Sequence, residues 1–264
     1  MATGVGGGRT ISSTFSPVKI WLLLPSWLII GFFLALPVLL MLVYSFLTKE
    51  FRGGVIWEPT LAAYDQFIFD RGLFGDDPPQ IEWKYISIFI RSILQATGAT
   101  ILCLLIGFPT AFFIATRVDN NKIIWLLLLT VPYWVNLLIR TVSMKFLIRD
   151  SGPLNEILIT LGLIDTPLKL INTNLAVQLG LFYSYLPFMV LPIYAALERY
   201  NFTFSEAASD LYAPKWTILF QILIPIIKPG IIAGCILVFV PSLGAFLAPD
   251  LLGGAKTFMI GSLI

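Results

Sequence analysis

Residues 20–48 read IWLLLPSWLIIGFFLALPVLLMLVYSFLT, an uncharged run closed by Lys19 on one side and Lys49 on the other. A charge at the centre of a bilayer costs at least about 2.5–3.5 kcal/mol, so uncharged runs mark the segments that can enter one. A helix rises about 1.5 Å per residue and about 20 residues cross the roughly 30 Å of hydrocarbon, so this run suffices for a span. It is far longer than the apolar core of a cleavable leader and reads as a retained first span. Working outward, further runs lie at 92–116 (preceded by a mostly apolar stretch from Tyr85), 123–139, 170–197 and 229–249. Each is long enough to cross. The runs are continuous rather than alternating, which favours helices over a closed barrel.

Composition agrees. Hydrophobic residues make up 58% of the 264-residue chain and charged residues 12%, with a mean hydropathy of +0.89. Ordinary globular domains hold about 45–50% and about 25% respectively. A soluble particle of 29.4 kDa would have too few charges to cover its surface. The expected fold is all-α: a polytopic membrane helical bundle with a tail at 1–19 and spans at about 20–48, 85–116, 123–139, 170–197 and 229–249.

Several chemistries are excluded by residue type. The chain has no histidine, which removes a histidine base and any His-ligated metal or haem, and no cofactor is expected. Cys103 and Cys235 both sit in apolar runs and read as small buried hydrophobes, not as a disulfide. A net charge of +2 without a basic cluster gives no footprint for nucleic acid. Gly253-Gly254-Ala255-Lys256-Thr257 looks superficially like a phosphate loop, but Ala255 stands where Walker A needs glycine. With no hydrolase elbow or zincin motif either, the chain is expected not to be an enzyme, and energy must come from a separate subunit. The short 117–122 loop carries Arg117 and Lys122, which favours a cytoplasmic loop and a cytoplasmic N-terminus, with the loops around Asp76 and Asn155 outside.

The segment between the fourth and fifth runs, 198–228, is the most informative loop. It contains Thr203, Ser205, Glu206-Ala207-Ala208, Asp210-Leu211-Tyr212 and Pro214, followed by Ile224-Pro225 and Pro229-Gly230. Thr203 and Glu206 have capping-box spacing and Ser205 is a second possible cap, which predicts a short helix over 206–211. Pro214 suits the first turn of a second helix. On these grounds alone the segment is an elbow of two short helices, open to reading as a surface-lying amphipathic loop.

Glu206-Ala207-Ala208, with Ile224-Pro225 and Pro229-Gly230 at the right distance, resembles the EAA motif of ABC importer permeases. Ser151 to Glu156, Ile164 to Pro167, Leu186 to Pro192, Pro229 to Cys235 and Asp250 to Lys256 are similar to the spermidine/putrescine subgroup of that family. The resemblance implies a type I ABC importer permease fold with six spans, of which five are present. It further implies a bacterial inner-membrane location and a coupling helix in which Glu206, Ala207, Ala208, Asp210, Leu211 and Tyr212 meet a dimer of ATP-binding subunits. A second permease subunit, a periplasmic or lipid-anchored substrate-binding protein and membrane lipid complete its partners. The expected function is polyamine import; the alternatives are another solute (Fe³⁺, an opine, an aminophosphonate) or a truncated, non-transporting scaffold. Tyr212 departs from the family, which usually has glycine there for a turn of positive φ.

A polycation has no carboxylate to meet in the uncharged runs. Tyr133, Trp134, Tyr183, Tyr185 and Phe188 offer aromatic faces, and Asn136 a polar group, as candidate path residues. The same aromatics also read as helix packing or interface belts. Tyr183 and Tyr185, two apart on a helix, cannot face the same way. Arg91 and Arg140 are expected to snorkel to the external surface.

Overall fold

The computed structural model describes residues 17–49, 55–61, 64, 69–70, 80–81, 83–117, 119–254 and 257–262. Most of the 1–19 tail, the Asp76 loop, Ala255 and Lys256 lie outside them. The chain divides into two compact units between Glu82 and Trp83.

In the first unit, helix α1 (Pro17–Ser45) carries the opening apolar run, with Pro25 and Pro37 inside it. Strands β1 (Leu47–Lys49) and β2 (Val55–Pro59) then form an antiparallel hairpin, irregular between Leu47 and Thr48. A second small pair joins β3 (Phe69–Asp70) to β4 (Gln80–Ile81). The end of α1 is tied to this region locally. The hydroxyls of Ser45 and Tyr64 hydrogen-bond, the rings of Phe46 and Tyr64 lie 5.7 Å apart, and the Thr60 N–H donates to the Phe46 carbonyl at 2.7 Å.

The second unit is helical among its described residues. Its order is α2 (Trp83–Ala115), α3 (Asp119–Thr130), a 3₁₀ turn (Val131–Trp134), α4 (Leu137–Ile148), α5 (Pro153–Thr160), α6 (Asn174–Glu198), α7 (Thr203–Asp210) and α8 (Lys215–Leu243). Across the described residues, four helices are long and apolar enough to cross a membrane: Leu23–Ser45, Tyr85–Ala115, Asn174–Glu198 and Lys215–Leu243. A fifth crossing is available only as a bent pair, Asn121–Trp134 with Leu137–Thr160, folded by 96°. The apolar run 123–139 is therefore not one straight helix. Pro132 lacks an N–H and favours the start of a new turn, Val135 is extended, and the Asn136 side chain accepts from the Leu138 N–H at 2.8 Å to begin α4. Hydropathy registers none of this.

The core forms where α2, α6 and α8 meet. Lipid gives helices little hydrophobic reason to associate, so close packing of small residues must do it. Ala96, Ala99, Cys103, Gly107 and Ala111 are buried along α2 at helical spacing. On α8, Gly230 and Gly234 lie one turn apart against α6. A methyl at Gly230 would strike Ala196 and come within 2.9 Å of the Pro192 carbonyl oxygen. One at Gly234 would lie 2.9 Å from the Met189 sulfur and 3.1 Å from its carbonyl oxygen. The two cysteines are free; Cys103 is buried and its thiol lies 3.8 Å from the Phe182 carbonyl oxygen.

Helix α8 starts earlier than the uncharged run at 229 implied. Lys215 and Lys228 bracket its first part, and Pro225 and Pro229 sit within the helix instead of before it. A π-helical stretch (Ile218–Leu223) precedes Pro225. The wider turn relieves the clash of a proline ring with the carbonyl four residues back. Elsewhere, Asn155 staples the segment after α4. Its buried side chain donates to the carbonyls of Arg149, Asp150 and Leu168 at 3.1–3.3 Å and accepts from the Leu168 N–H at 2.9 Å.

Candidate functional site

Two groups of sequence-selected residues are separately assembled. The first surrounds the break between α3 and α4. Tyr133 in the 3₁₀ turn packs edge-on against Phe188 of α6, with centroids 4.9 Å apart. Phe188 stacks in turn with Tyr185 at 6.3 Å, and the Tyr185 hydroxyl donates to the Pro241 carbonyl of α8 at 3.4 Å. Three of the selected aromatics thus form one chain of rings linking the break, α6 and α8. Tyr183 points elsewhere, as the helical spacing requires. It lines a cavity of about 170 Å³ with Tyr133, Arg140, Leu129, Leu186 and Pro187.

Two selected residues are not in this group. Trp134 is 80% exposed and packs with no other ring among the described residues, a position that suits a lipid-facing belt. Asn136 is spent on capping α4.

Arg140 reverses its expectation. It does not reach the surface: it is 6% exposed, with its guanidinium carbon 4.3 Å above the centre of the Tyr133 ring. The 96° fold of the span turns this residue inward, where a straight helix would have carried it toward an end. Its Nε and Nη1 have no hydrogen-bond partner among the described residues. The sequence signal was available: a charge at the border of an uncharged run, next to a proline-interrupted turn.

The second group is the elbow between α6 and α8. Helix α7 runs Thr203–Asp210, three residues earlier than the 206–211 expected. Neither Thr203 nor Ser205 caps it. Phe202 stands at its N-cap without a side-chain cap bond, and the Asn201 side chain, one residue earlier, accepts from the Thr203 N–H at 3.1 Å. The Ser205 hydroxyl is engaged by Tyr200 at 2.7 Å, and Tyr200 is buried in the main core, anchoring the elbow to the bundle. Glu206, Ala207, Asp210 and Leu211 are exposed, whereas Ala208 is half-buried on the inner face with Ser205. Of the two small residues, Ala207 alone is openly available for close approach.

The turn after α7 is the one that glycine would make. Tyr212 has φ +58°, its N–H donates to Ser209 O at 2.9 Å, and the Ala213 N–H donates to Ala208 O at 3.1 Å. This is a Schellman closure with an aromatic residue at the left-handed position. The Tyr212 side chain is 96% exposed. Pro214 then leads into α8, where Trp216 and Phe220 stack at 5.9 Å, both exposed. Among the described residues there is no cluster of metal-ligating side chains.

The chain is similar to known proteins over most of its length. A family model described as binding-protein-dependent transport system inner membrane component matches residues 104–264. The chain is 38% identical over 256 residues to the spermidine/putrescine transport system permease protein PotB of Haemophilus influenzae, covering 97% of this chain and 84% of that protein. It is 40% identical over 238 residues to the protein of the same name from Escherichia coli, covering 90% and 81%. Among solved structures, a bacterial ABC transporter involved in the import of the acidic polysaccharide alginate matches with a TM-score of 0.56 at 19% identity, covering 91% of this chain and 80% of that one. That last likeness speaks to the fold alone.

Proposed function

The chain belongs to the family of binding-protein-dependent transport system inner membrane components, and on that premise we propose that it is the permease subunit of an ATP-driven importer of polyamines. Family membership makes it a multi-pass inner-membrane transport subunit. The observation that carries the substrate reading is identity of 38–40% with spermidine/putrescine permeases over at least 90% of the chain.

In this reading a second permease subunit shares the pathway, a substrate-binding protein delivers the solute, and a dimer of ATP-binding subunits supplies the energy. The N-terminus and the elbow are cytoplasmic. Glu206, Ala207, Ala208, Asp210, Leu211 and Tyr212 form the docking segment for the ATPase, an assignment supported by the exposure of all but Ala208. Tyr200, anchored in the core, and the direct passage from Pro214 into α8 make α7 a lever on the bundle. ATPase closure would bias the spans between inward-open and outward-open arrangements. The aromatic chain Tyr133–Phe188–Tyr185, with Tyr183 beside it, lies along the pathway. Each cation–π contact is worth about 0.5–2 kcal/mol. Contacts of that strength suit a conduit, which must release what it admits.

The test is uptake of radiolabelled spermidine and putrescine by cells lacking other polyamine uptake and expressing this chain with its cognate ATPase, second permease and binding protein. Saturable uptake, competed by unlabelled polyamine and not by Fe³⁺, an opine or an aminophosphonate, is expected. Assembly without polyamine uptake would overturn the substrate reading.

A further inference from the structure

We propose that Arg140 is a tethered cation that occupies a substrate-ammonium position on the Tyr133 ring, so that a polycation entering the path must displace it. The inference rests on the polyamine reading above.

Four observations converge. The guanidinium lies 4.3 Å from the ring centre, where an incoming ammonium would gain its own cation–π contact. The same two residues line the 170 Å³ cavity beside Tyr183, and none of its lining side chains is a carboxylate. Two of the donors, Nε and Nη1, have no partner among the described residues. A buried guanidinium gripped by a carboxylate fork would be locked in place; this one lies against the Tyr133 ring, with no carboxylate in the cavity lining to hold it. Finally, Arg140 stands in the first turns of α4, whose N-terminal end is positive, so the helix itself does not favour a cation there.

A fixed charge in this position does two things. It fills the aromatic face when no substrate is present, and it opposes each positive charge of a substrate that arrives. Spermidine, with three ammonium groups, must overcome more repulsion than putrescine with two. Leaving the ring then lets the guanidinium return behind the solute, which keeps residence on the face short. Arg140 is in this sense a specificity-determining residue of the path.

The experiment is equilibrium binding of radiolabelled spermidine and putrescine to the assembled transporter, without its binding protein, for the wild type, R140K, R140Q and R140M. Removing an unpaired buried charge is not expected to harm folding, and the yield of assembled complex checks this. R140Q and R140M are expected to bind spermidine at least about tenfold more tightly than wild type, because two unit charges a few Å apart still repel strongly at the effective dielectric of a protein. The gain for putrescine is smaller, and R140K stays close to wild type. In a Y133L background the R140Q gain falls below about twofold, because the shared face is gone. Unchanged or weaker binding in R140Q, equal gains for both polyamines, or a gain that survives Y133L overturns the proposal. If wild type takes up no polyamine at all, the substrate reading has failed; if it does and R140Q binds like wild type, only the role of Arg140 has.

Discussion

Replacing Tyr212 with glycine is expected to tighten the elbow although it removes a large side chain. At φ +58° an L-residue pays about 1–2 kcal/mol relative to right-handed backbone, and glycine pays none of it. Glycine loses more chain entropy on ordering, which returns about 0.5–1 kcal/mol. The lost ring contributes almost nothing through burial, since Tyr212 is 96% exposed. The net gain is about 0.5–1 kcal/mol, a factor of roughly two to five in a local opening equilibrium. It should appear at the two amides that close the turn, Tyr212 N–H to Ser209 O and Ala213 N–H to Ala208 O. Hydrogen exchange of the 206–214 region in the purified permease reads this directly, with slower exchange at Ala213 in Y212G and faster exchange in Y212V, whose β-branch disfavours positive φ. Equal or faster exchange in Y212G would show that the ring, and not the backbone, holds the turn. The docking role adds a second sign: Y212G should also recover less ATPase on pull-down, although its turn is firmer.

Ala207→Trp places bulk on the exposed face of α7 and is expected to lower ATPase co-purification at least about tenfold while membrane insertion is unchanged; Glu206→Ala should weaken association less, because its carboxylate makes no cap in the folded elbow. Gly234→Ile forces side-chain atoms into space already within 2.9 Å of the Met189 sulfur and should destabilise α6–α8 packing by about 1–3 kcal/mol or more, measured as a lower thermal midpoint of the detergent-solubilised protein. Asn155→Ala strands the Leu168 N–H and costs about 1–3 kcal/mol locally, read as faster proteolysis between 149 and 172; Asn155→Asp keeps the acceptor but turns a buried oxygen toward the three carbonyls the amide served, and should be no milder.

What the amino-acid order conveyed, and what it did not, follows from how each signal arises. Uncharged runs reflect the cost of charge in lipid, and helices α1, α2 and α6 coincide with three of them to within a few residues. The start of α8 was not legible, because Lys228 interrupts a run that the backbone continues straight through, with a π turn making room for Pro225. The break at Pro132–Asn136 was hidden for the opposite reason: its residues are apolar enough to read as continuous, and the bend is a matter of a missing N–H and one side-chain cap. Arg140 was misplaced as a consequence, since a residue at the edge of a straight span snorkels and one on a folded span can turn inward. The elbow was legible as an element but not in its register. Thr203 and Ser205 both have cap spacing, but neither caps: Ser205 is taken by its tertiary bond to Tyr200, and the Thr203 N–H goes to the Asn201 side chain. The positive φ at position 212 was foreseeable from a turn that glycine usually makes, and the tyrosine keeps it.

The most direct test of the account is ATP-driven movement of spermidine by the complete transporter in proteoliposomes. The chain is reconstituted with its second permease and ATPase, the binding protein and radiolabelled spermidine are supplied on the opposite side from ATP, and accumulation is followed over time. Accumulation that requires ATP, fails with ADP and is lost when Ala207→Trp replaces the wild-type chain is the predicted result. A complex that assembles and hydrolyses ATP yet moves no spermidine would contradict it.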